Sequence, residues 1–141
     1  MKIVILDAYT VDQGELTWNG LTDFAEVESY ERTSPEDVVS RCKGAEIVLT
    51  NKVVLDATIL NKLPRLQYIG VLATGYNVVD IETANRQNIV VTNIPAYSTE
   101  SVAQMVFSHL LNIVSRVDHY ARENKQGKWV SSPDFCYLDH Q

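Results

Sequence analysis

The chain has 141 residues, 45% hydrophobic and 21% charged, a composition that supports a folded core and excludes an extended disordered segment. Its 18 acidic and 12 basic residues leave a net charge of -6, a field that repels phosphate backbones and anionic membranes, so neither nucleic acid nor a membrane is expected as a partner. No apolar run approaches the roughly 18 residues of a membrane helix. The opening "MKIVILDAYT" is too short and too soon broken by Asp7 for a secretion signal, which reads as a cytoplasmic protein.

Lys2 to Leu6 is a run built on the β-branched Ile3, Val4 and Ile5, the pattern of a strand covered on both faces and hence of a parallel sheet. A short helix is expected around 18–24, and 25–31 alternates like a second, more exposed strand. Ser34-Pro35-Glu36-Asp37 carries a helix-start signature, a serine cap with proline at the first helical position, and Gly44 should stop that helix. Residues 45–51 read as strand three and 55–63 as a helix capped by Asp56 and ended by Pro64. Strand four spans 65–73, Asp80 caps the helical segment after it, and 89–93 is strand five. Strands alternating with helices imply right-handed crossovers on a doubly wound α/β sheet.

Ser98-Thr99-Glu100-Ser101 opens a helix expected to run from 99 to 125, twice as long as any before it. Its apolar residues, from Val102 through Phe107 and Leu110 to Val117, cover an arc of roughly 180°, whereas packing against one neighbour needs about 100°. A helix crossing between domains or subunits accounts for that arc better than a central helix of one domain. Residues 129–141 read as surface loop.

In open parallel sheets, ligands gather beyond the carboxyl ends of the strands, where Thr74-Gly75-Tyr76 follows strand four. Gly75 at positive φ would turn successive backbone N–H groups one way and form a concave anion site, with the Thr74 hydroxyl as a further donor. A simple turn is the other reading. Asn51 and Lys52 end strand three at the same edge, either as donors to a bound carboxylate or as a solvated turn pair. Asp7, at the end of strand one, reads as a turn or cap residue rather than a catalytic acid. His109, His119 and His140 read as structural or solvated, and Cys42 and Cys136 as reduced thiols. No metal-ligand cluster or nucleophile-base pair presents itself.

The stretch "VLATGYNVVDIETANRQNIVVTNIPAYSTESVAQMVFSHLL" resembles the N-terminal region of the D-isomer-specific 2-hydroxyacid dehydrogenases, nearest the glycerate dehydrogenase (hydroxypyruvate reductase) branch. Gln104 departs from the glutamate many members carry after "VA". The resemblance implies a flavodoxin-like substrate domain over 1–95, and over 96–141 the crossover and first long helix of an incomplete Rossmann domain, a helix that builds a homodimer. It implies a small 2-keto or 2-hydroxy acid as substrate, its carboxylate held by the amides of Thr74, Gly75 and Tyr76, with Asn51 and Lys52 as further candidates. NAD or NADP is the implied cofactor of the parent enzyme, with Ile94, Ser98, Thr99 and Val102 near its nicotinamide end.

No GxGxxG occurs in the 141 residues, and the family's catalytic arginine, acid and histidine belong after that motif. The expectation is therefore a truncated piece of a dehydrogenase, inactive alone and binding no cofactor by itself. The competing expectation is a non-catalytic dimerisation module with a residual carboxylate-binding loop. A receiver domain and a flavodoxin-type electron carrier share the sheet type, but the acidic pair and the phosphate loop they need after strand one are missing.

Overall fold

The computed structural model describes residues 1–15, 17–134, 136 and 137. It divides into two compact units, Met1–Tyr97 and Ser98–Gln141.

Five strands form the first unit: β1 (Lys2–Ile5), β2 (Glu26–Ser29), β3 (Ile47–Thr50), β4 (Tyr68–Val71) and β5 (Val90–Thr92). All neighbours are parallel, in the order β2-β1-β3-β4-β5. This is the doubly wound flavodoxin-like order, whose direction reverses between β1 and β3. The strands are shorter than the apolar runs that announce them, although single bonds such as Leu6 N–H to Leu49 O (3.0 Å) and Leu72 N–H to Thr50 O (2.7 Å) extend past their ends.

The intervening helices are α1 (Asn19–Thr22), α2 (Val38–Arg41), α3 (Ala57–Leu60) and α4 (Ile81–Arg86). Asp56 and Asp80 cap the last two as expected, accepting from Ile59 N–H and Thr83 N–H at 2.9 Å each. Ser34 does not cap. Its hydroxyl donates instead to Asp37 Oδ2 (2.9 Å), and Pro35 opens a 3-10 turn that leads into α2. Gly44, at φ +76°, closes the turn after that helix.

Val4, Leu6, Val48, Ile69 and Val71 form one core with Val38, Leu60 and Ala84 from the helices. A fully buried Leu or Ile stabilises by about 1.5–3 kcal/mol, whereas helices this short do not persist alone, so burial on this face holds the unit together. β1 is also buried at Ile3 and Ile5, as a doubly covered strand should be. Toward β5 the second face opens, leaving Ile47, Leu49 and Tyr68 half-buried and Val90 exposed.

The second unit corrects the expectation of one helix over 99–125. α5 (Thr99–Ser115) and α6 (Val117–Lys125) meet at Arg116, which adopts the left-handed conformation at φ 49° and ψ 39°. No glycine or proline marks the break. The segment beyond the break packs on itself: the ring centroid of Tyr137 lies 5.6 Å from that of Tyr120 and 6.2 Å from that of Trp129, and the Tyr137 hydroxyl donates to Asn124 Oδ1 at 2.6 Å. The expected loop over 129–141 is corrected at its start, because Trp129 to Ser131 belong to a further helix, α7 (Lys128–Ser131). Residues 138–141, His140 among them, lie outside the described residues. No residue of α5 is buried, and Val102, Met105, Val106, Phe107, Leu110, Leu111, Ile113 and Val114 are all exposed.

Candidate functional site

The loop after β4 is fixed by three hydrogen bonds to the chain leaving β5. Ile94 N–H donates to Ala73 O (3.1 Å), the Thr74 hydroxyl to Ile94 O (3.1 Å), and Asn93 Nδ2 to Thr74 O (2.8 Å). Two expectations are corrected here. The Thr74 hydroxyl proton is already engaged by Ile94, so it is no spare donor. Gly75 has no positive φ, since the described glycines with that geometry are Gly14, Gly44 and Gly127. The turn is made by bends at 72–74 instead. The backbone N–H groups of Thr74, Gly75 and Tyr76 nevertheless have no acceptor among the described residues, and all three residues are exposed. Consecutive exposed amides on a braced turn suit an oxyanion, because their donors are held in place before it arrives.

One strand away, Asp7 organises the turn that carries Asn51 and Lys52. Its carboxylate, 3% exposed, accepts Asn51 N–H on Oδ1 (2.8 Å) and Lys52 N–H on Oδ2 (2.6 Å). Thr10 completes the connection by donating to Asp7 O (2.7 Å) and accepting from Asn51 Nδ2 (2.9 Å). The reading of Asp7 as a turn residue is thereby given its content: it caps the turn after the neighbouring strand β3 rather than its own. Asn51 is itself buried, and its Oδ1 has no partner among the described residues. Its side chain therefore serves this connection through Thr10, whereas Lys52 is exposed and lines a cleft of about 370 Å³ with Arg32, Thr10 and Val53. None of residues 74–76 lines that cleft. Tyr76 instead borders a smaller one, about 250 Å³, with Ile81, Asn85 and Thr92.

Of the four residues near which a nicotinamide was expected, Ile94 belongs to the first unit and Ser98, Thr99 and Val102 to the second. Ile94 is exposed and its carbonyl holds Thr74, while Ser98 O accepts Val102 N–H (2.9 Å) at the start of α5. Ile94 and Val102 offer exposed apolar side chains, and Ser98 and Thr99 hydroxyls, but none is a cradle for pyrophosphate. Asn93, read in the sequence only as the end of strand five, was given no site role, although a polar amide directly after a strand and before Ile94-Pro95 is a signal that could have revealed it. His109 is exposed on α5 and His119 stacks edge-on against Tyr120 (5.2 Å). Cys42 and Cys136 are both unbridged, and burial pushes the Cys42 thiol up to about 12, which leaves it protonated and inert.

A hydroxypyruvate reductase of Blautia hydrogenotrophica is 46% identical over 143 aligned residues, covering 99% of this chain and 44% of that protein. A glycerate dehydrogenase of Methylorubrum extorquens is 37% identical over 139, again covering 99% and 44%. The chain thus spans less than half the length of these relatives. Among solved structures, the D-lactate dehydrogenase of Aquifex aeolicus complexed with NAD and lactic acid shares the fold at a TM-score of 0.72 and 24% identity, over 99% of this chain and 41% of that one. An NAD+-bound 3-phosphoglycerate dehydrogenase of Entamoeba histolytica aligns at 0.62 and 25% identity, over 79% and 38%. Residues 3–131 match the catalytic domain of the D-isomer specific 2-hydroxyacid dehydrogenases, and the chain belongs to that family.

Proposed function

We propose that the chain supplies the substrate-binding part of an enzyme that interconverts a 2-keto acid and a D-2-hydroxy acid, of the hydroxypyruvate or glycerate kind. The observation that carries this reading is the set of free amides at Thr74, Gly75 and Tyr76, at the carboxyl edge of a parallel sheet in a chain of this family. These amides hold the substrate carboxylate. The braces to Asn93 and Ile94 keep them oriented, so binding does not first have to order the loop. Asn51 and Lys52 shape the adjoining edge. Ile94, Ser98, Thr99 and Val102 are the residues we assign to the nicotinamide end of NAD or NADP, which supplies or accepts the hydride when bound.

Titration of 15N-labelled protein with D-glycerate tests the reading. Saturable shifts should appear at the amides of residues 74–76, and their absence at tens of millimolar acid would sink it. Because the 141 residues contain no pyrophosphate loop, the same preparation should oxidise no NADH in the presence of hydroxypyruvate. Turnover that survives purification controls would show that the catalytic groups have been wrongly located.

The apolar face of α5 supports a second component of the proposal, a homodimer built through that helix. If dimerisation persisted without any acid binding, the chain would be a non-catalytic association module with only the remnant of a carboxylate loop.

A further inference from the structure

The sheet reverses its winding direction between β1 and β3, and in open α/β sheets the crevice beyond that point is where ligands collect. The cleft of about 370 Å³ lies there, between the segments that follow β1, β2 and β3. Its floor is apolar, made by Val38, Val53 and Ile59, of which Val38 is fully buried. Its rim carries two cations, Arg32 and Lys52, both exposed and neither in an ion pair among the described residues. The Arg32 guanidinium is held over the Tyr9 ring at 4.5 Å, so it is placed rather than trailing in solvent.

Two acids also line the cleft, and both are already engaged. The Asp7 carboxylate is taken by the amides of Asn51 and Lys52, and Asp56 caps α3. Both carboxylates keep their charge, but neither is in an ion pair with Arg32 or Lys52 among the described residues, so the guanidinium and the ammonium keep open donors at the rim. Thr10 and Thr33 add no free donor, because their hydroxyls donate to Asp7 O and Leu6 O.

We propose that this cleft is a binding site for a second small acid, a short-chain carboxylate whose apolar body rests on Val38, Val53 and Ile59 while its head lies between Arg32 and Lys52. The charge fixes the head and the floor fixes the tail. A ligand lacking either half binds poorly.

The test titrates the 15N-labelled 141-residue protein with hexanoate, acetate and hexanol in parallel. Hexanoate should give saturable shifts at Arg32, Lys52, Val53 and Ile59 and leave Thr74–Tyr76 unmoved, with acetate and hexanol each at least tenfold weaker. Arg32→Gln, an exposed change on a folded background, should weaken hexanoate about tenfold, the equivalent of one charge-assisted hydrogen bond. Equal binding of hexanol, indifference to Arg32→Gln, or shifts confined to 74–76 would each overturn the proposal. The comparison of ligands needs no variant, so it stands even if Arg32→Gln fails to fold. Because the readouts are separate, loss of D-glycerate binding at 74–76 would leave this site untouched, and the reverse holds as well.

Discussion

A methyl group on residue 75 would sit 3.3 Å from Asn77 Oδ1, tighter than most real contacts, so alanine there must push the Asn77 side chain aside. Since Gly75 does not use a left-handed conformation, what its missing side chain leaves is room beside Asn77 rather than backbone freedom. Gly75→Ala should therefore weaken D-glycerate binding severalfold while the thermal midpoint moves little, which titration and a melting curve would establish together. Asp7 behaves in the opposite way. Asp7→Ala leaves the amides of Asn51 and Lys52 without their acceptor, at a cost of about 2–6 kcal/mol for two such groups. Denaturant unfolding should show that loss, and a change below about 0.5 kcal/mol would mean that water replaces the carboxylate.

At the scale of elements, the start of β1 is held by charge. Glu46 accepts Lys2 N–H (2.9 Å) and pairs with Arg65 (2.8 Å), contacts that lower its carboxyl below the usual range, the first of them most. A lowered carboxylate contributes stability above its unfolded pKa, and that contribution is lost as the pH falls through the folded one. Glu46→Gln should be less stable than the parent at pH 7, and the gap should close as the pH drops below about 4, the unperturbed glutamate range. The strands were legible because buried parallel strands are continuous apolar runs, and α3 and α4 because Asp56 and Asp80 are caps with a mechanism. The features that escaped the sequence depended on distant partners. Ser34 had the composition of a cap, yet its hydroxyl is drawn to Asp37, and nothing in Ser115-Arg116-Val117 foretells the break that the packing of Tyr120, Trp129 and Tyr137 accompanies. The site divides likewise. The exposed loop at 74–76 could be placed from strand order alone, whereas its bracing by Asn93 and the tie from Asp7 to the turn after β3 join residues up to 45 positions apart.

For the whole molecule, the dominant feature is uncovered apolar surface, the row on α5 and the half-open sheet face at Leu49, Tyr68 and Val90. Monomeric proteins seldom leave such patches contiguous. Leu110→Glu places a charge in the middle of the α5 row, where it cannot disturb a core because no α5 residue is buried. Light scattering at high micromolar concentration should give a dimer for the parent chain and a monomer for this variant. A monomeric parent would remove the homodimer from the proposal.

The three bonds joining 73–74 to 93–94 also have a mechanical meaning. They anchor the chain at Ile94, shortly before the first unit ends at Tyr97, and the positive φ of Ala96, 60°, falls just past the fastened point. The turn at residues 73–74 is the fixed jamb to which the end of the first unit is fastened.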